Sequence, residues 1–146
     1  MKKFKQFFTE KQVLGLIEFF DVDGVGKIPS KLDSGNGAFN VIHGEDIQVQ
    51  GNKVHFKTVN IQRLMKEKVY EIVINVGAGN TETRPVVNFD HKLGNKEFQD
   101  IPFWVGDRST NLFKILVSKD FIEKHLDALI DVSQEDIADE EIEASY

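Results

Sequence analysis

Hydrophobic and polar residues alternate over many short segments of the chain, and this pattern predicts a mostly β protein. The predicted strands cover residues 13–20, 27–32, 47–50, 53–59, 69–76, 85–89, 101–105 and 113–117. Turn residues such as Gly51-Asn52 and Gly77-Ala78-Gly79-Asn80 separate them, and Leu93 to Phe98 predicts a further tight hairpin. Many short strands of this kind are typical of a small barrel or sandwich.

The period of the pattern changes only near the end of the chain. Six residues there recur at the spacing of one face of an α-helix: Phe121, Ile122, His125, Leu126, Leu129 and Ile130. Ser118 precedes them and is a suitable N-cap. We therefore expect one C-terminal helix to close the β domain.

Length and charge divide the chain into three parts. The 146 residues suffice for one domain, which we place at residues 13–130. Residues 1–12 carry three phenylalanines among lysines and predict an N-terminal amphipathic arm. Residues 131–146 hold seven acidic residues and no Lys or Arg, and predict a solvated acidic tail.

Composition excludes several classes of function. The chain has no cysteine, which excludes disulfides, thiolate zinc sites and cysteine nucleophiles. No apolar run approaches the roughly 20 residues of a membrane span, and no cleavable leader follows the first lysines. We therefore expect a cytoplasmic protein that does not contact a membrane.

The net charge of −6 comes from the tail. Without its seven acidic residues the rest of the chain has 17 acidic against 18 basic residues, a net charge of +1. Nucleic-acid binding requires basic residues clustered on one face, whereas these are scattered along the sequence. We expect no nucleic-acid partner.

Asp33-Ser34-Gly35 is the tripeptide with the clearest chemical potential. It follows a predicted strand, which would hold the carboxylate rigidly, while Gly35 would let two loops approach closely. Two such carboxylates about 3 Å apart share one proton and can activate water against a carbonyl group. The alternative is an ordinary turn at a strand end, because Asp, Ser and Gly are all turn residues.

The residues around this tripeptide resemble those of the retropepsin-like aspartic proteases. Ile28-Pro29-Ser30-Lys31-Leu32 leads into Asp33-Ser34-Gly35 as in a bacterial family labelled "ATP-dependent zinc protease". Further segments match that family in order: Leu14 to Glu18, Arg84 to Val87, Leu93 to Phe98, Asp107 to Ser109 and Ile115 to Ile122. The resemblance covers about residues 14–122.

The resemblance implies a small closed acid-protease-like barrel in which each subunit supplies one catalytic aspartate. Asp33 would be the acid–base residue, Ser34 the hydroxyl that braces two loops, and Gly35 the position of close approach. The chain holds no second such tripeptide, so an active enzyme would be a homodimer that cleaves a protein or peptide. No cofactor is expected.

Despite the family label, the sequence does not predict a zinc site. His43, His55, His91 and His125 are scattered without the spacing of metal ligands. His125 lies on the apolar face of the predicted helix, so a position in the core or at its edge explains it better than a role as a metal ligand.

A non-catalytic function stays open as an alternative. Where the family has Gly-Arg before its last helix, this chain has Ser118-Lys119, and a lysine cannot reproduce the planar bidentate bonds of arginine. The loop after Gly35 also departs from the family pattern. The chain would then be a structural subunit that has kept the fold, held by neighbouring subunits in a large assembly such as a virus particle.

Overall fold

The computed structural model describes residues 12–138, and for Ile61 only the backbone. About two thirds of the described residues lie in strands, which confirms the mostly β prediction. The predicted N-terminal arm lies outside this range apart from Gln12, as do residues 139–146 of the predicted tail. Among the described residues, no helix has the length and apolar character needed to cross a membrane.

Within residues 12–138 the chain forms ten strands and one short helical segment. The strands are β1 (Val13–Val22), β2 (Gly26–Asp33), β3 (Asn40–His43), β4 (Glu45–Gln50), β5 (Lys53–Lys57), β6 (Arg63–Gly77), β7 (Asn80–Leu93), β8 (Lys96–Gly106), β9 (Ile115–Ser118) and β10 (Leu129–Glu135). Helix α1 (Lys119–Phe121) continues directly into a π-helical turn, Ile122–Leu126. A 3₁₀ turn, Val59–Ile61, joins β5 to β6.

Strand pairing connects the two ends of the sheet into a ring. The order is β10-β1-β2-β9-β3-β8-β7-β6-β5-β4, and β1 pairs a second time with β7 through Asp21–Lys92 and Val22–His91. The ring therefore runs β1-β2-β9-β3-β8-β7 and back to β1. Strand β10 extends this ring beyond β1, and β6, β5 and β4 extend it beyond β7.

The interior of the sheet is filled by aliphatic and aromatic side chains. Alternate residues of β1, β2, β7 and β8 face inwards, as the period of two requires. The largest fully buried apolar side chains are Phe20, Phe56, Phe89, Phe103, Leu14, Leu32, Ile42 and Ile115. The helical segment adds Phe121, Ile122 and Leu126 to the same core.

The predicted helix is shorter than its pattern indicates. It starts after Ser118, whose side chain accepts a hydrogen bond from the Phe121 N–H, so the predicted N-cap is confirmed. It ends at Asp127, which adopts the left-handed conformation (φ 45°). Leu129 and Ile130, expected on the helical face, instead begin β10, which pairs in parallel with β1. Placing them on the helix was wrong, because an edge of β1 is available to pair with this segment.

The start of the predicted acidic tail is packed against the domain rather than solvated throughout. At Gly15 of β1, an added Cβ would lie 2.4 Å from the Gln134 carbonyl oxygen of β10. The fully buried Glu18 carboxylate accepts hydrogen bonds from the N–H groups of Gly15 (2.7 Å), Ala138 (3.1 Å) and Ile137 (3.3 Å). These bonds hold residues 137 and 138 against β1 and explain why a carboxylate is tolerated at this buried position.

Strands β6 and β7 form a two-stranded ribbon that is longer than predicted. They pair from Lys68–Val87 to Gly77–Asn80, so the predicted strand 69–76 is only part of β6. Several apolar residues of β6 remain exposed on the ribbon: Met65, Val69, Tyr70, Val73 and Val76. Phe39, in the loop before β3, contacts Tyr70 with ring centroids 5.7 Å apart.

Candidate functional site

Asp33 is the last residue of β2, where the strand passes into an exposed loop. In β2 the side chains of Ile28, Ser30 and Leu32 are buried, and Asp33 itself is half-buried. Strand β9 pairs with β2 in parallel, which sets Asp33 opposite Ser118. The sheet thus holds the Asp33 backbone, while Ser34 and Gly35 lie at the surface.

The loop after Asp33 is stabilised by its own hydrogen bonds. The Asp33 Oδ1 atom accepts a hydrogen bond from the Gly35 N–H (3.0 Å), and the Asp33 carbonyl accepts one from the Asn36 N–H (3.1 Å). The Lys119 N–H binds the Asn36 carbonyl at 2.7 Å and so ties the loop to helix α1. Within residues 12–138, Oδ2 of Asp33 has no hydrogen-bond partner.

The predicted site residues are therefore together and accessible. Among the described residues the Ser34 hydroxyl makes no hydrogen bond. The partner loop that the resemblance implies would come from a second copy of the chain. A side chain at position 35 would crowd the Asp33 carboxylate, because a Cβ added at Gly35 would lie 3.3 Å from Asp33 Oδ1.

Arg108 interacts electrostatically with Asp33. Its side chain is half-buried, and Nε donates a hydrogen bond to the Phe113 carbonyl at 2.8 Å. Burial lowers the pKa of Arg108, and the negative charge of Asp33 acts in the opposite direction. Arginine stays protonated throughout the physiological range, so Arg108 is a permanent positive charge that interacts with Asp33.

His43 lies close to the same segment and has a defined tautomer. Its Nδ1 atom accepts a hydrogen bond from the Arg108 N–H (2.9 Å), so the neutral ring carries its proton on Nε2 and donates to Glu45 Oε1 (3.1 Å). The Ser109 hydroxyl contacts Glu45 Oε1 at 2.8 Å and also contacts Asp107 Oδ1. Hydrogen bonds from Ser109 lower the pKa of Asp107.

The ligand atoms of His43, Glu45 and Asp107 lie within 4.8 Å of one another, close enough to suggest a metal site. The donor set does not suit zinc, however. In the observed arrangement the lone pair of Nδ1 accepts the Arg108 N–H and Nε2 bears the proton, so the imidazole has no free lone pair for a metal. The four histidines have separate environments in the fold.

His91 is buried, with ring centroids about 5 Å from those of Phe20, Phe98, Phe103 and Phe121. His125 is exposed and stacks on Phe121 at 4.9 Å, so it lies at the edge of the core. His55 pairs with Met65 across β5 and β6 and is half-buried.

Two residues near the site carried no sequence signal of their role. Arg108 was noted only within a matching segment, and its electrostatic interaction with Asp33 depends on the tertiary structure. Asn40 starts β3, and its Oδ1 accepts the Ser118 N–H at 2.8 Å. A single buried asparagine is not distinguishable in sequence from an asparagine in a turn.

Comparison with known proteins gives a fold and no function. No protein-family model matches the chain, and no curated protein matches it. The chain is similar to a crystal structure of a protein of unknown function (DUF785) from Legionella pneumophila, with a TM-score of 0.70 and 21% sequence identity. The match covers 87% of this chain and 98% of the Legionella protein. At this identity the likeness shows that the two proteins share a fold, and nothing more.

Proposed function

We propose that this chain is an aspartic endopeptidase with a closed, retropepsin-like barrel, and that it acts as a homodimer on protein or peptide substrates. The observation that carries the proposal is the setting of Asp33. Its backbone is fixed at the end of β2, one carboxylate oxygen is oriented by the Gly35 N–H, and the loop is exposed at the surface. A second copy can approach such a loop.

In the proposed dimer the two Asp33 carboxylates share one proton, since two negative charges about 3 Å apart repel. The charged carboxylate takes a proton from a bound water, and the neutral one donates to the carbonyl oxygen of the peptide bond. In this proposal the positive charge of Arg108, which interacts electrostatically with Asp33, stabilises the single negative charge of the pair. Asp33 is the acid–base residue, with Ser34 and Gly35 forming the contact between the two loops.

The β6–β7 ribbon is the proposed cover for a bound peptide. It packs next to the site through the contact between Phe39 and Tyr70, and exposed valines line it beyond that contact. An extended substrate could then lie between the ribbon and the Asp33 loop, where apolar side chains contact it from one side and the carboxylates from the other.

The test is cleavage of a complex peptide library at pH 4 to 7, read by mass spectrometry. Wild type should cleave, and Asp33→Asn should reduce the rate by about 100-fold or more, because it removes the acid–base group while keeping the size of the side chain. The control is Asp23→Asn, an exposed aspartate in the β1–β2 turn. Equal cleavage by wild type and Asp33→Asn would contradict the proposal, as would the absence of cleavage by wild type.

A second candidate is a non-catalytic structural subunit of a large assembly such as a virus particle. Two observations favour it. Ser118 stands where the family has glycine and is used within the chain as a helix cap, and the exposed apolar residues of the ribbon offer a contact surface. This candidate predicts that Asp33→Asn leaves function intact, whereas Val73→Glu on the ribbon abolishes incorporation into the assembly.

A further inference from the structure

A small pocket separate from the proposed peptidase chemistry lies between the loop after Asp33, β8 and helix α1. Its volume is about 150 Å³. This space is comparable with protein cavities that hold a molecule of about six heavy atoms. Apolar side chains form one wall: Ile101, Pro102 and Phe121. Ile101 and Phe121 are buried, so this wall is part of the rigid core.

Asn40 also lines the pocket, and its side-chain amide carries an unpartnered hydrogen-bond donor. Its side chain is 2% exposed. Oδ1 accepts a hydrogen bond from the Ser118 N–H at 2.8 Å. This bond fixes the orientation of the side-chain amide and so identifies the other atom of the amide as the nitrogen Nδ2. Nδ2 is buried and has no hydrogen-bond partner in the described part of the chain. A buried N–H group of this kind is destabilising unless an acceptor meets it.

The outer rim of the pocket supplies two further donors. Lys124 and His125 both line it, and both are exposed to solvent. The Lys124 ammonium lies 3.8 Å from the carboxylate of Asp120, which also lines the pocket. This ion pair is loose and largely exposed, so an incoming anion can compete for the ammonium.

We propose that this pocket binds a carboxylate carried on a short apolar group. The carboxylate would accept hydrogen bonds from the Asn40 side-chain amide and from the Lys124 ammonium on the rim, while the apolar group packs on Ile101, Pro102 and Phe121. The carboxylate can belong to a free organic acid or to the C-terminus of a peptide. The inference does not depend on the proposed peptidase function.

The experiment follows the side-chain amide signals of Asn40 by ¹⁵N–¹H NMR while the full chain is titrated with 3-methylbutanoate. We expect a saturable shift of those signals and a dissociation constant of about 1 mM or tighter. The neutral isostere 3-methylbutanamide should bind about ten-fold more weakly, because it lacks the negative charge. Titration with N-acetyl-glycyl-leucine distinguishes the two sources: tighter binding than the free acid identifies a peptide C-terminus, and weaker binding identifies a small organic acid.

Three variants test the assignment of the donors. Asn40→Asp replaces the free donor by an acceptor and should weaken binding about ten-fold or more. The two exposed rim positions leave the core intact and have opposite expected effects: Lys124→Gln should weaken binding about two- to five-fold, and Asp120→Asn should tighten it by a similar factor. Lys92→Gln, an exposed lysine on β7, is the matched control and should change nothing.

Unmoved Asn40 amide signals would overturn the proposal, as would equal binding of the acid and its amide. Because Asn40→Asp introduces a buried charge and can prevent folding, the rim pair decides independently: unchanged affinity in both Lys124→Gln and Asp120→Asn also contradicts it. All readouts measure binding rather than cleavage, so a failure here is distinct from a failure of the peptidase proposal.

Discussion

His91 illustrates how a single residue couples this fold to pH. Its ring is 2% exposed and packs among four phenylalanine rings, and neither ring nitrogen has a partner among the described residues. Burial lowers the pKa of His91 from 6.5 to about 4, and the nearby His125 contributes in the same direction, while Asp90 opposes it. The folded protein therefore keeps this imidazole neutral under conditions in which an unfolded chain would protonate it.

We predict that His91 destabilises the fold as the pH falls from 6.5 towards 4. In this window the unfolded state binds more protons than the folded state, so the free energy of unfolding decreases with falling pH and levels off below about 4. The full effect is about 3 kcal/mol. His91→Phe, which suits the aromatic surroundings, should remove this part of the pH dependence.

Urea denaturation of both proteins at pH 7 and pH 4.5 measures the effect. The loss of stability between the two pH values should be smaller in His91→Phe than in wild type. His55→Gln, at a half-buried position outside the aromatic cluster, serves as the control and should behave as wild type. An unchanged loss in His91→Phe would show that other groups cause the acid sensitivity.

Strand β10 approaches the backbone of β1 closely at Gly15. It pairs in parallel with β1. The pairing is interrupted between Gly15 and Ile17, where the two strands approach each other closely. Glu18 completes the attachment by binding the N–H groups of residues 137 and 138. The segment from Leu129 to Ala138 is thus a strap held at a glycine and at a buried carboxylate.

We predict that Gly15→Ala loosens this strap. The new Cβ would lie within 3 Å of the Gln134 carbonyl and of the Glu135 Cα, which are backbone atoms that cannot rotate away. We expect a loss of about 1–3 kcal/mol in the free energy of unfolding and faster amide exchange across β10. The matched control is Gly37→Ala, where an added Cβ meets nothing within 4 Å. Equal stability of the two variants would rule out the close contact as the cause.

The whole molecule presents one Asp33 loop per chain, so the proposed activity belongs to an assembly of two. Catalytic aspartates from two chains must meet across a two-fold axis, and each subunit then contributes the same surface. The Asp33 loop is exposed for such a contact, and the ribbon adds exposed apolar area beside it.

We predict that specific peptidase activity rises with protein concentration and saturates when the dimer is fully formed. Gly35→Val should lower both self-association and activity, because its Cβ would occupy the surface where the two loops meet; Gly37→Val is the matched control, at a position with open space around it. Sedimentation equilibrium and cleavage rates measured over the same concentrations provide the test. A monomer with constant specific activity would contradict a shared site.

Features formed by interactions between residues close in sequence could be predicted from the sequence. Alternation of apolar and polar residues fixed most strands, because each strand depends on its own two faces. The β4–β5 and β6–β7 turns could be predicted from their glycines and asparagines, since turn conformation is a local property. Asp33-Ser34-Gly35 could be located in the same way, as a strand end followed by an exposed loop.

Tertiary structure alone decided the features that depend on partners distant in sequence. Leu129 and Ile130 fit a helical face equally well, and only the free edge of β1 makes them a strand. Arg108 and Asp33 are far apart in sequence, and only the folded structure lets their charges interact. Asn40 is buried and binds a residue 78 positions away in sequence, and Glu18 is buried and binds residues about 120 positions away. No local sequence pattern encodes such contacts.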